Sequence, residues 1–239
     1  MMRSIVIGLM AGMLLAAGCG EKEKPYGQEP LVFLPGTASQ TWAVAPALNL
    51  SGQKQVDPLL QADLLFAQLQ QVKGLTVVPV NRVIEVYAAL HIARVESEQQ
   101  ASLVCQSLGC DALVVPTVTL FDAYAPPKMG AALQWFPRGS GKPQAGIDPR
   151  ELARQAAPKA DELLPVEGRF VQVADVYDAA NGTIRQKVLD YAEGRNDPQG
   201  PLGAKEYFVS MDRFGGFVYH DMIVKLLRKI EQRADLNGH

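Results

Sequence analysis

The 239-residue sequence predicts an α/β domain in which a small mixed sheet is flanked by helices. Three observations carry this expectation. Short runs rich in Val and Leu alternate with longer segments whose apolar residues recur every three or four positions, the order that packs helices onto a sheet. The last such segment, with Tyr219, Met222, Ile223, Leu226, Leu227 and Ile230, is the i, i+3, i+4, i+7, i+8, i+11 stripe of one long amphipathic helix. Apolar residues make up 48% of the chain and charged residues 20%, enough to build the core of one ordinary domain.

The chain starts with a short basic stretch, Met1 to Arg3, followed by an apolar run from Ser4 to Ala17 that is too short for a permanent bilayer span of about 20 residues. It closes as Leu15-Ala16-Ala17-Gly18-Cys19, which resembles a bacterial lipoprotein signal. That resemblance implies cleavage before Cys19, a diacylglyceryl group on its sulfur and an acyl chain such as palmitate on its new amino terminus. Gly20, where Asp is absent, resembles the outer-membrane sorting preference of such lipoproteins. The competing reading is a plain secretory leader with an accidental Cys. The expected layout is a signal peptide over residues 1–18, a flexible Pro- and Gly-containing tether over 19–40, one domain over 41–233 and a tail over 234–239.

Within the domain, Trp42 to Leu48 reads as a strand, and Asp57-Pro58 as a cap followed by proline at the first helical position. Leu59, Leu65, Phe66, Leu69 and Val72 give that helix its apolar face, with Gly74 as its stop. A second strand covers Leu75 to Val80, and Asn81 caps a helix presenting Val83, Ile84, Tyr87 and Leu90. Ser97 with Gln100 makes a capping box for a helix ending at Gly109. Asp111 to Phe121 is the third strand, apolar enough over its first half to be covered on both faces, which completes a βαβααβ order. An antiparallel meander follows: Met129 to Phe136, then a hairpin of Gly168 to Asp178 and Thr183 to Glu193 turning at Asn181-Gly182. Between them, residues 137–165 read as a surface insertion with a short helix from Asp148. A shorter helix from Ala204 to Met211 is separated from the long closing helix by Gly215-Gly216.

Val44-Ala-Pro46, Val77-Val78, the turn Leu108-Gly-Cys-Asp-Ala-Leu-Val-Val115, Tyr124-Ala-Pro-Pro127 and Val176-Tyr-Asp-Ala-Ala-Asn-Gly182 together resemble the periplasmic domain of the curli-secretion (CsgG-like) lipoprotein family. Its relatives include the amino-terminal domain of the Tol translocation protein and a lipoprotein activator of a peptidoglycan synthase. The resemblance implies a small sheet flanked by helices that works in the cell envelope through protein contacts. Pro116 departs from the pattern and removes one ladder donor, so a bulge or edge position is expected there.

Composition excludes some chemistry. With 23 basic and 25 acidic residues, a net charge of -2, the chain carries no nucleic-acid footprint. Its three His and three Cys lack zinc-ligand spacing, so neither metal nor cofactor is expected. Gly139-Ser-Gly-Lys142 lacks the first glycine of a phosphate loop and has Pro143 where Ser or Thr would hold magnesium. Cys105 and Cys110 are expected as buried free thiols and His220 as a surface histidine. Lys225, Arg228 and Lys229 are expected on a solvated helix face, and Asp175, Asp178 and Asp190 on an exposed one, Asp178 initiating a turn. Charge on both faces of the Gly168 to Glu193 arms argues against a membrane-spanning hairpin.

One segment suits recognition. Tyr124, Pro126, Pro127 and Lys128 combine an aromatic, paired prolines and a cation at the end of a buried strand, a rigid loop that loses little entropy on contact. The competing reading tucks Tyr124 back onto the core. The functional expectation is a non-enzymatic lipoprotein tethered to the outer membrane and facing the periplasm, an accessory of assembly, transport or cell-wall machinery that binds an envelope protein or itself. The alternative is a ligand-binding protein or hydrolase with a cleft beside the strand ends.

Overall fold

In the computed structural model, the described residues are 27, 31–36, 38–138, 170–197 and 199–237. Cys19 and the segment Gly139 to Lys142, like most of the expected insertion and its short helix, lie outside them.

The fold class agrees with the sequence. The order is β1 (Val32–Phe33), β2 (Gln40–Val44), β3 (Leu48–Asn49), α1 (Pro58–Leu69), β4 (Val72–Lys73), β5 (Leu75–Val78), α2 (Val80–Ala89), α3 (Glu98–Leu108), β6 (Ala112–Asp122), β7 (Lys128–Pro137), β8 (Val171–Asp178), α4 (Gly182–Ala192), a 3-10 helix (Gly203–Phe208) and α5 (Met211–Asn237). The main sheet runs β5-β2-β6-β7-β8, with β3 also paired to β6; β5, β2 and β3 are parallel to β6, and β7 and β8 antiparallel. One face, carrying Trp42, Val114, Leu133 and Tyr177, packs under α1, α4 and α5; the other, carrying Ala43, Leu113, Val115 and Phe136, packs under α2 and α3.

The helix starts follow capping chemistry. Asp57 Oδ1 accepts from the Leu59 N–H at 2.8 Å, and Ser97 Oγ from the Gln100 N–H at 3.2 Å. Gly109 ends α3 at φ 67°, a left-handed conformation that costs glycine nothing. Asn81 is not a cap, because α2 already starts at Val80 and follows Pro79 with no side-chain cap. On α1, Leu59 lies on the exposed side while Leu65 and Leu69 are buried.

Three further expectations are corrected. The second arm of the expected hairpin is α4: Asn181 Oδ1 accepts from the Thr183 and Ile184 N–H groups, so Asn181 caps a helix instead of turning a hairpin. Ile184, Val188, Tyr191 and Ala192 recur at helical spacing, and Val188, Tyr191 and Ala192 are buried against the core. Gly215-Gly216 does not divide two helices, since α5 runs through both. They lie where α5 crosses α1, and a Cβ on Gly215 would sit 3.2 Å from Leu64 Cδ1, so the small residues admit the close approach. Finally, Val32–Phe33, inside the expected tether, pairs in parallel with β4 and buries Leu34, while α5 extends into the expected tail.

Pro116 occupies neither a bulge nor an edge. Val114 and Val118 accept from the Ala45 and Leu50 N–H groups, which places the Pro116 nitrogen on the same side of β6, opposite the unpaired step between β2 and β3. Its missing N–H falls where no partner strand runs. The bulge lies further on, between Val118 and Leu120.

Candidate functional site

The strand register assembles one surface from three strands. Leu120, Gly130 and Val176 pair in a row across β6, β7 and β8, on the face opposite α5. The next row in the same direction is Asp122, Lys128 and Asp178. Helix α3 covers this face only as far as Leu113, Val115 and Phe136, leaving Leu120 40% and Val176 57% exposed, with Ala174 and Gln172 exposed beside them. A half-covered sheet with large aliphatic groups in water is the informative kind of exposure.

Gly130 is required at the centre of the row. A Cβ there would lie 2.6 Å from Thr119 Oγ1, 3.0 Å from Leu120 Cβ and 3.2 Å from the Leu120 nitrogen, because the β6 bulge leans across it. The bulge therefore sets how Leu120 is presented.

Above these rows stands the loop that carries Tyr124. Tyr124 is 87% exposed, so it does not tuck onto the core. The loop is pinned around it: Asp122 Oδ1 accepts from the Tyr124 N–H at 3.1 Å, and the Pro127 carbonyl accepts from the Ala179 N–H at 3.0 Å. Asp178 Oδ1 accepts from the Ala180 N–H at 2.8 Å, the turn-initiating role expected of it. Of the four candidate contact residues, Tyr124 and Pro126 reach solvent, Pro127 is buried, and Lys128 is held 3.0 Å from Asp178 in an ion pair. That pair holds the Asp178 carboxyl below its ordinary range and the Lys128 amine above its own.

On the opposite face, an ionic cluster fastens α5 to β8 and α4. The buried Tyr177 hydroxyl donates to Asp221 Oδ2 at 2.7 Å, and Lys225 Nζ donates to the Tyr177 oxygen at 3.0 Å. Lys225 also pairs with Asp221 and Asp175, and Lys187 lies 3.3 Å from Asp221. Burial pushes the Asp221 carboxyl up, but hydrogen bonds from Lys225 and Tyr177 and the charge of Lys187 outweigh it and hold it below the ordinary value. Lys225 is thus no solvated face residue, and Lys229 and Arg233 are not free either: they donate to the carbonyls of Gln172 and Phe170 on the outer edge of β8. Charged groups on that edge discourage another strand from pairing there. The i, i+4 spacing of Asp221 and Lys225 was the available sequence signal for this cluster. Its partners Asp175 and Tyr177 come from a distant strand that no local pattern reveals.

His220 is half-buried, contrary to expectation, because the Tyr191 ring packs against it, tilted by 49° with ring centroids 4.9 Å apart. Burial, then the Arg195 charge, lowers its pKa from 6.5 to about 4, with Asp221 opposing. The unfolded chain therefore binds more protons between pH 6.5 and 4, so stability is full above that window and falls through it as the pH drops. Asp175 and Asp221, with folded pKa values below 3.8, withdraw their own contributions at still lower pH. Urea midpoints measured against pH should decline from near 6.5, and His220→Phe should flatten the part of the slope above pH 4. An unchanged slope in the variant would remove His220 from this account.

Cys105 and Cys110 are buried free thiols. A hydrogen bond with Cys110, and then burial, raise the Cys105 pKa, opposite to what a reactive thiol needs. Among the described residues, no three His, Cys, Asp or Glu side chains gather as a metal site. A shallow groove of about 370 Å³ lies between β1 and α5; Val32, Leu34, Val224 and Leu227 line it, and its charged groups are Arg228 and Glu231. No described helix is long and apolar enough to cross a membrane.

The sequence matches no protein-family model and no curated protein. Among solved structures, it is similar to lipoprotein GNA1162 from Neisseria meningitidis, at 16% identity over 62% of this chain and 91% of that one, with a TM-score of 0.40. It is also similar to the hypothetical protein CT253 from Chlamydia trachomatis, at 11% identity over 82% and 96% of the two chains, TM-score 0.36. A PelC dodecamer subunit from Paraburkholderia phytofirmans is 10% identical over 65% and 84%, TM-score 0.31.

Proposed function

We propose that this chain is a non-enzymatic cell-envelope lipoprotein, anchored through lipid on Cys19 to the outer membrane on its periplasmic side, whose domain docks a partner protein. The observation that carries the docking role is the row Leu120, Gly130, Val176, left bare beside the exposed Tyr124 on the uncovered part of the sheet. The loop pinned around Tyr124 and the strand-borne Leu120 and Val176 make a preorganised apolar surface that loses little entropy when covered. The anchor rests on the small-residue step before Cys19. The pattern shared with the curli-secretion family supports an accessory role in assembly, transport or cell-wall machinery.

Docking is favoured over the ligand or hydrolase alternative because the groove beside β1 is lined by one carboxylate, Glu231, with no His, Ser or Cys, and the carboxylates of the α5 cluster are paired with Lys225 and Lys187. Val176→Arg tests the docking reading. The side chain is exposed, so the variant should keep its melting temperature, while the native complex extracted from membranes should shift to the mass of the free lipoprotein. A complex of unchanged size would contradict docking through this face.

A further inference from the structure

We infer that the opposite end of the domain carries a second, weaker membrane contact: Leu31 and Phe33, flanked by Lys73 and Arg228, lie against the lipid surface that holds Cys19. This rests on the lipid anchor proposed above. Leu31 is 60% and Phe33 63% exposed, although both belong to an apolar run whose Leu34 is buried. Phe33 pairs in register with Lys73, whose side chain is exposed, and Arg228 lines the adjoining groove, with Glu231 as its one carboxylate. Apolar side chains rimmed by cations suit an anionic interface, where the aromatic ring sits at headgroup level and the cations meet phosphate.

The cation-rimmed apolar patch suits lipid, and the reach of the chain brings it within range of the anchored lipid. Among the described residues the chain is held at Gly27, whose N–H donates to the Gly194 carbonyl at 2.7 Å. Eight residue steps separate Cys19 from Gly27, a span of at most about 28 Å at about 3.5 Å per residue. Leu31 and Phe33 follow directly. The Leu34 N–H donates to the Lys73 carbonyl and the Gln40 N–H to the Gly74 carbonyl, which places β1 at the amino-terminal end of the parallel strands. The Tyr124 loop lies beyond the carboxy-terminal end of β6, whose eleven residues span about 35 Å. An anchored domain lying on its Leu31–Phe33 end therefore holds the docking loop away from the bilayer.

The test uses the full chain purified from bacterial membranes and reconstituted in vesicles of phosphatidylethanolamine and phosphatidylglycerol. An environment-sensitive fluorophore is placed on Phe33→Cys and, in a second sample, on Tyr124→Cys; Cys105 and Cys110 are buried and escape labelling in the native protein. Brominated lipid should quench the label at position 33 several-fold more than the label at 124, in protein whose intact mass includes the lipid on Cys19. Equal quenching at the two positions, with that lipid present, would overturn the contact and leave the anchor standing. A mass without lipid would overturn the anchor and the contact with it. Protection of position 33 from aqueous iodide without quenching by brominated lipid would assign the patch to a protein and also overturn the proposal.

Discussion

A chain ended after Gly216 is expected to show no cooperative thermal transition. The truncation removes Phe217, Tyr219, Met222, Ile223, Leu226 and Leu227, all nearly or fully buried in the core between α5, α1 and the β7 and β8 side of the sheet. Each such side chain contributes about 1.5 to 3 kcal/mol on burial, and together they reach the whole margin of about 5 to 15 kcal/mol that holds a domain folded. Polar losses add to this. Gln61 loses the Tyr219 hydroxyl as its donor, the Tyr177 hydroxyl loses Asp221 as its acceptor, and the β8 edge loses the cations that cover its carbonyls. A truncated chain whose circular dichroism still melts cooperatively near the full-length temperature would show that α5 merely decorates an independent core.

Cys19→Ser should be equally decisive in the cell. A thioether-linked glyceride needs sulfur, so the variant should incorporate no labelled fatty acid, and the protein should leave the membrane fraction. Burial of each acyl methylene contributes about 0.8 kcal/mol, and one chain gives only marginal attachment where two or three give a stable one. The contact at Leu31 and Phe33 is two side chains and does not replace that anchor. Equal labelling of wild type and variant would show that the Leu15 to Cys19 step is not a lipidation signal.

The elements set by local chemistry were legible in the sequence. Asp57-Pro58, Ser97 with Gln100, and Gly109 mark helix ends through side-chain and backbone hydrogen bonds within a few residues, and the places of β2, β5 and β6 followed from their apolar runs. Asn181-Gly182 failed because the same two residues serve a hairpin turn or a helix cap, and only the burial of Val188 and Tyr191 against α5 decides between them. Gly215-Gly216 failed for a related reason: whether paired glycines break a helix or admit a neighbour depends on α1, a long way off in sequence. The candidate site was half visible. Tyr124 and its prolines stood out locally, whereas Leu120 and Val176 join them only through Gly130, by a register that crosses three strands and a bulge.

The central claim is that this bare face meets a protein. A photo-crosslinking amino acid placed in turn at Val176, Tyr124 and Asn81 in intact cells tests it directly, Asn81 being exposed on α2, which packs over β2 and not over the bare row of β6, β7 and β8. The account predicts one discrete heavier species, the same from Val176 and Tyr124, and none from Asn81. No product from either face position, or the same product from all three, would contradict it.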